Sequence, residues 1–144
     1  MTNKKSFMKR SFLLTIIGLM VFGCTDDGNK SEIVGEWKLI EVYNGYTQGG
    51  NSSWTTVPSK YSEIIRFTSK ELYFENIDSK YLQRECTGTY RLLSDNLLEI
   101  ESNCQTGLVQ HEIELRQETL IIDIQEIEGI IRKKYTSTHK IPFN

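Results

Sequence analysis

The residues able to do chemistry are few in this 144-residue chain, and their spacing narrows what that chemistry is. Cys86, Cys104 and His111 are of the types that hold zinc, and they would make three of the four ligands of a tetrahedral site. The only other histidine, His139, lies 28 positions further on without ligand spacing, so no metal site is expected. Glu112 and Glu114 alternate on one strand face about 7 Å apart, a separation that suits paired carboxylates and is equally routine on a wetted face. No serine or thiol stands beside a base that a third group would orient, and no Gly-x-Ser-x-Gly turn is present. Gly49-Gly50 runs into Asn51-Ser52-Ser53 with no following helix and no Lys-Ser/Thr pair, so it is a hinge or lid and not a phosphate cradle. Catalysis and a bound cofactor are therefore not expected.

The third cysteine, Cys24, has a different setting. Lys4, Lys5, Lys9 and Arg10 precede an apolar run from Phe12 to Phe22, and no acid occurs before Asp26, which is the build of a secretory signal. The run is about half the roughly 20 residues that cross a bilayer as a helix, so cleavage is expected. Val21-Phe22-Gly23-Cys24 resembles the lipobox of bacterial lipoproteins. That resemblance implies a signal peptide over residues 1–23, a diacylglyceryl group on the Cys24 thiol, and further acylation of the new amino group, as with palmitate. Several acyl chains, at about 0.8 kcal/mol per buried methylene, hold a protein on a membrane permanently. Residues 24–32, with Thr25-Asp26-Asp27-Gly28-Asn29 behind the cysteine, read as a flexible tether. The paired acids are also similar to export tags of surface-facing outer-membrane lipoproteins. The expected location is the cell envelope, on the outer membrane, facing periplasm or exterior.

Residues 24–144 are enough for one domain with one core. Of 17 basic residues the leader holds four, leaving 13 against 19 acids, a net charge of −6. Such a surface does not neutralise phosphates, which excludes nucleic acid as a partner.

Elements that could position these residues are strands throughout. Short β-branched and aromatic runs separated by Gly, Ser, Asn and Asp predict eight of them, over 33–43, 63–68, 71–76, 87–93, 97–102, 108–116, 119–126 and 129–136. Alternation places Val109, His111, Ile113 and Leu115 on one face, Leu120, Ile122 and Ile124 on another, and Ile131 and Tyr135 opposite Ile130, Arg132 and Lys134. Lys133 and Lys134 are read as exposed. Turns of two or three residues make consecutive strands hairpins, and eight of them lose their free edges by closing into an all-β, antiparallel up-and-down barrel. If the fourth and fifth strands fold about Asp95, paired positions sum to 190: Leu92 with Leu98, Tyr90 with Ile100, Cys86 with Cys104. A disulfide is expected there, worth on the order of 3 kcal/mol on the chain-entropy model.

Ile33-Val34-Gly35-Glu36-Trp37-Lys38-Leu39 resembles the Gly-x-Trp opening of lipocalins. Bacterial lipocalin-like lipoproteins are similar in their upstream lipidated cysteine, a Gly/Ser-rich first loop with Trp54, Ile65-Arg66-Phe67-Thr68-Ser69, and Cys86-Thr87-Gly88-Thr89-Tyr90 before Leu97-Leu98-Glu99-Ile100. The resemblance implies a barrel over residues 33–136 with Trp37 closing its base, Arg132 as a candidate to cover that tryptophan, and a C-terminal tail over 137–144. It also implies a binding module for a small apolar ligand, held among Leu39, Phe67, Phe74, Tyr90, Ile100, His111, Ile122 and Tyr135 with residues 44–60 over the mouth. The alternative is a barrel filled by these side chains that acts through its loops on another envelope protein.

Overall fold

The computed structural model describes residues 32–46 and 52–139. Cys24, the signal segment, most of the tether, the Gly49-Gly50 stretch and residues 140–144 lie outside the described residues. Among the described residues nine strands follow in order: β1 (Gly35–Tyr46), β2 (Trp54–Thr56), β3 (Ser62–Phe67), β4 (Leu72–Asp78), β5 (Gln83–Ser94), β6 (Leu97–Ser102), β7 (Leu108–Arg116), β8 (Thr119–Glu126) and β9 (Gly129–His139). Each of β3 to β8 pairs antiparallel with the next, β1 pairs with β3, and β9 returns to β1, closing an eight-stranded up-and-down barrel. This is the all-β, eight-stranded barrel that the alternation and short turns predict and the lipocalin resemblance implies. The short β2 is the addition: it covers the outer half of β1 that β3 does not reach, through Glu41 with Thr56 to Tyr43 with Trp54.

Each strand sends alternate side chains to the axis, as the period of two requires. One end, the base, carries the β3–β4, β5–β6 and β7–β8 turns and is solid. Trp37, Ile33, Phe67, Tyr90, Leu98, Ile113 and Leu120 are all buried there. Trp37 is 1% exposed, and its Nε1 donates to the Ile33 carbonyl at 2.8 Å, so the indole is satisfied inside the core. Phe67 meets Tyr90 edge-on, ring centres 4.8 Å apart, a favoured aromatic geometry.

Two turn features set the hairpins. Glu71 and Gln117 adopt left-handed conformations, φ 61° and 47°, at the β3–β4 and β7–β8 turns. Within β5, Gly88 lies against β6 so closely that a Cβ there would stand 1.9 Å from the Glu101 carbonyl oxygen. Only glycine permits that approach of the two backbones.

The β5–β6 register follows the predicted sum through Tyr90 with Ile100 and Gly88 with Ser102, with an irregularity only at the turn, where Ser94 faces Leu97. Cys86 and Cys104 are joined, their Cα atoms 5.5 Å apart. The thiolates that a zinc site would need are thereby consumed. Strand β5 begins at Gln83, four residues before the predicted start, because a polar ladder extends the pairing with β4: Arg84 to Glu75, Asn76 to Glu85 and Gln83 to Asp78. Strand β1 likewise runs to Tyr46, so the first residues of the expected mouth loop are strand. Trp54 is in β2, its ring against Tyr43 and the Lys134 ammonium 4.5 Å from its centre.

Three side chains differ from the sequence reading. Phe74 points outward, under the Arg66 guanidinium 4.4 Å from its ring centre, and Tyr73 takes the inward place, 7% exposed. The pairing of Phe67 with Tyr73 fixes this parity. Arg132 lies on the outer face with Asp123 (2.8 Å) and Glu114 (2.5 Å), away from Trp37. Lys133 shares the inward parity of Ile131 and Tyr135 and enters the barrel.

Candidate functional site at the open end of the barrel

Inward alternation on β3 brings Glu63, Ile65 and Phe67 to the axis, and Glu63 is completely buried. A lone carboxylate there would be untenable, because burial of an unpaired charge costs several kcal/mol. It is held by four hydrogen bonds: Lys133 Nζ donates to both oxygens at 2.8 and 3.0 Å, Tyr135 OH donates at 2.5 Å and Tyr61 OH at 2.7 Å. Burial alone would raise the carboxyl's pKa, but the Lys133 charge and the donated hydrogen bonds outweigh it and hold Glu63 below the usual carboxylate range. The same burial, with the adjoining carboxylate, pushes the Tyr135 and Tyr61 hydroxyls up. Both tyrosines therefore remain donors. No buried side-chain nitrogen or oxygen among the described residues lacks a partner.

Beside this cluster the barrel is hollow. A cavity of about 220 Å³ reaches toward the open end, its wall made of apolar Ile65, Ile100, Ile122 and Ile124 interleaved around the barrel with polar Glu75, Arg84, His111 and Lys133. Tyr73, Tyr135, Ser102, Gln105 and Cys104 complete its wall. Arg84 Nη2 contacts both Glu75 oxygens at 3.3 and 3.4 Å. The His111 Nδ1 lies 3.3 Å from the Asp123 carbonyl oxygen, which can only accept, so this nitrogen carries the proton and Nε2 is left as an acceptor. Burial first, and the Lys133 charge after it, lower the His111 pKa against the raising effect of that carbonyl, so the ring is neutral at pH 7.

Of the predicted cavity residues, Ile100, His111, Ile122 and Tyr135 line this space. Leu39, Phe67 and Tyr90 belong to the packed core below it, where burial pushes the Tyr90 hydroxyl up to about 12 and its OH donates to the Thr68 carbonyl at 2.8 Å. Phe74 lies outside. The residues missed are Glu63, Lys133, Glu75, Arg84 and Tyr61. Parity held the signal for two of them: Glu63 stands two before Ile65, and Lys133 between Ile131 and Tyr135. Both were masked by the ordinary expectation that charged residues face water.

Glu112 and Glu114 are on the outer face of β7, where Glu114 is tied to Arg132 and Arg116. Other hollows lie on the barrel's exterior, including a groove of about 490 Å³ beside Ile64, Arg66 and Phe74. Among the described residues no group of three or more His, Cys, Asp or Glu is placed to hold a metal ion. No protein-family model, curated protein or solved structure matches the chain.

Proposed function

We propose that the protein is an exported lipoprotein of the bacterial cell envelope, lipocalin-like, anchored through acylated Cys24, whose barrel binds a small ligand at its open end without catalysing a reaction. The observation that carries the binding role is the roughly 220 Å³ cavity, where isoleucines are interleaved with the side chains of Glu75, Arg84, His111 and Lys133. A wall of that kind suits a ligand with an apolar body and a polar end better than a purely apolar one. At about 20–30 Å³ per non-hydrogen atom, near the share of a water in the liquid, the space takes roughly ten such atoms. The anchor is supported by Val21-Phe22-Gly23-Cys24 behind a basic and then apolar leader.

Native mass spectrometry of the protein purified from its own cells tests the binding role. A retained small molecule of roughly 200 Da or less, in keeping with that volume, is expected; a protein free of any adduct speaks against it. Cys24→Ala tests the anchor, and is expected to move the protein from the membrane fraction to the soluble one.

A second reading has its own observation. Tyr46, Tyr81, Leu82, Leu108, Ile127 and Ile130 are exposed apolar side chains toward the open end, with Tyr81 88% exposed and Ile127 fully so. They favour contact with another envelope protein through the loops. A photo-crosslinker at Ile127 that captures one partner, with none captured from the outer-face position Glu85, would support it.

A further inference from the structure

Resting on the reading of the cavity as a binding site, we infer that its ligand is a small organic anion, a carboxylate with a short apolar body, received by Arg84 and Lys133 with His111 taking up a proton as it binds. The fold leaves hydrogen-bonding capacity unspent around the cavity. Both carboxylates near the space are occupied: Glu63 is fully buried under four donated hydrogen bonds, and Glu75 accepts from Arg84. The two cations are not. Lys133 has three N–H donors and gives Glu63 two of them, while Arg84 engages Glu75 through Nη2 alone, at long distances. The Nε–H and Nη1 donors of Arg84 and one N–H of Lys133 therefore have no protein acceptor among the described residues, and both side chains line the cavity. Guanidinium and ammonium donors left free in a half-enclosed space are matched by an acceptor-rich, negatively charged group.

Charge counting then involves His111. The cavity groups balance as they stand, with Lys133 against Glu63 and Arg84 against Glu75. A bound anion adds one uncompensated negative charge. The charged and titratable groups that share the cavity wall with His111 are Lys133 and Tyr135 on β9, with Glu63 on β3 paired to Lys133, Arg84 on β5, and Tyr73 and Glu75 on β4. Strand β8 offers it only the Asp123 carbonyl, the Asp123 carboxylate being outside on Arg132, and β6 offers no titratable group inward. His111 is the one member able to gain a proton near neutrality. Its Nε2, an acceptor when neutral, becomes a donor to the ligand. Binding of the anion and of the proton are linked, so affinity rises as pH falls through the histidine's range.

Every strand of the closed barrel lies after residue 34, so a chain beginning at Thr25 carries the whole fold and serves for calorimetry. Benzoate and isovalerate are titrated against their neutral amides, at about pH 5.5 and about pH 8, on either side of the usual histidine value near 6.5. At least one acid is expected to bind tenfold or more tightly than its amide, and tenfold more tightly at the lower pH. Arg84→Met, at a side chain 42% exposed, is expected to remove that preference. His111→Gln is expected to remove the pH dependence. Equal binding of acid and amide, an Arg84→Met protein that still prefers the acid, or no heat from either acid overturns the anion assignment. In each of those cases an adduct retained in native mass spectrometry leaves the cavity as a binding site, and an empty protein removes that reading too.

Discussion

Replacing Glu63 with Gln keeps the side chain's shape and removes only its charge, so the cost measures what the buried cluster contributes. Breaking a buried ion pair by removing one partner costs about 3–5 kcal/mol, because the other charge is left uncompensated. Here the stranded group is Lys133, whose side chain keeps 20% exposure and regains some water from the cavity, which lowers the expectation to about 2–4 kcal/mol. Against a usual total of about 5–15 kcal/mol, that is a large share. Joint replacement, Glu63→Met with Lys133→Met, removes both charges and is expected to cost much less than the sum of the single changes, about 1 kcal/mol more or less, since apolar isosteres of buried pairs are often neutral. The pH dependence follows from the direction of the Glu63 shift. A carboxyl held below its unfolded value of 4.5 contributes stability that is fully present above that pH and is lost as pH falls through the folded value. Wild type should therefore lose stability steeply below about pH 4.5, and Glu63→Gln should flatten part of that loss. The assay is urea unfolding with the disulfide intact, from pH 7 downward, followed by the fluorescence of Trp37 in a Trp54→Phe background. A Glu63→Gln protein within 1 kcal/mol of wild type at pH 7, with an unchanged acid limb, would refute the reasoning.

Other perturbations carry equally definite expectations. Replacing both Cys86 and Cys104 with Ala should cost on the order of 3 kcal/mol for a closure spanning 18 positions, read as a lower urea midpoint. Gly88→Ala places a Cβ 1.9 Å from the Glu101 carbonyl oxygen, and should cost about 3 kcal/mol, the upper end of overpacking, with loss of amide protection along β5 and β6. Gln117→Gly relieves a left-handed residue at φ 47°, and should raise stability by about 0.5–1 kcal/mol, read as a higher melting temperature. Trp37→Ala should cost about 3–5 kcal/mol by emptying the base of the core.

Strand alternation reached the architecture because half-buried antiparallel strands write their inward face directly into the sequence: Val109, His111, Ile113 and Leu115 lie where period two puts them. The β5–β6 register was equally open, since one turn about Asp95 fixes Tyr90 against Ile100 and Cys86 beside Cys104. Leu72-Tyr73-Phe74 was not legible in the same way. Three bulky residues in a row offer no alternation, and the choice of Tyr73 as the inward one comes from the Phe67 pairing and the left-handed Glu71 between the strands. The polar site was hardest to see because its parts reverse the usual rule. Glu63 and Lys133 are charged residues at inward positions 70 apart in sequence, and each is tolerable only because the barrel closes the other against it. Arg84 lies in a segment with no apolar face, whose strand exists through its polar partners on β4.

The central claim is that the hollow half of the barrel, and no outer groove or rim, receives the ligand. The most direct measurement is methyl NMR of the isoleucines during titration with the small-molecule fraction of the source cells. Shifts at Ile100, Ile122 and Ile124 around the cavity are predicted, with Ile113 in the packed base unmoved. Shifts confined to Ile127 and Ile130 on the exposed rim, or to Ile64 in the outer groove, would contradict it.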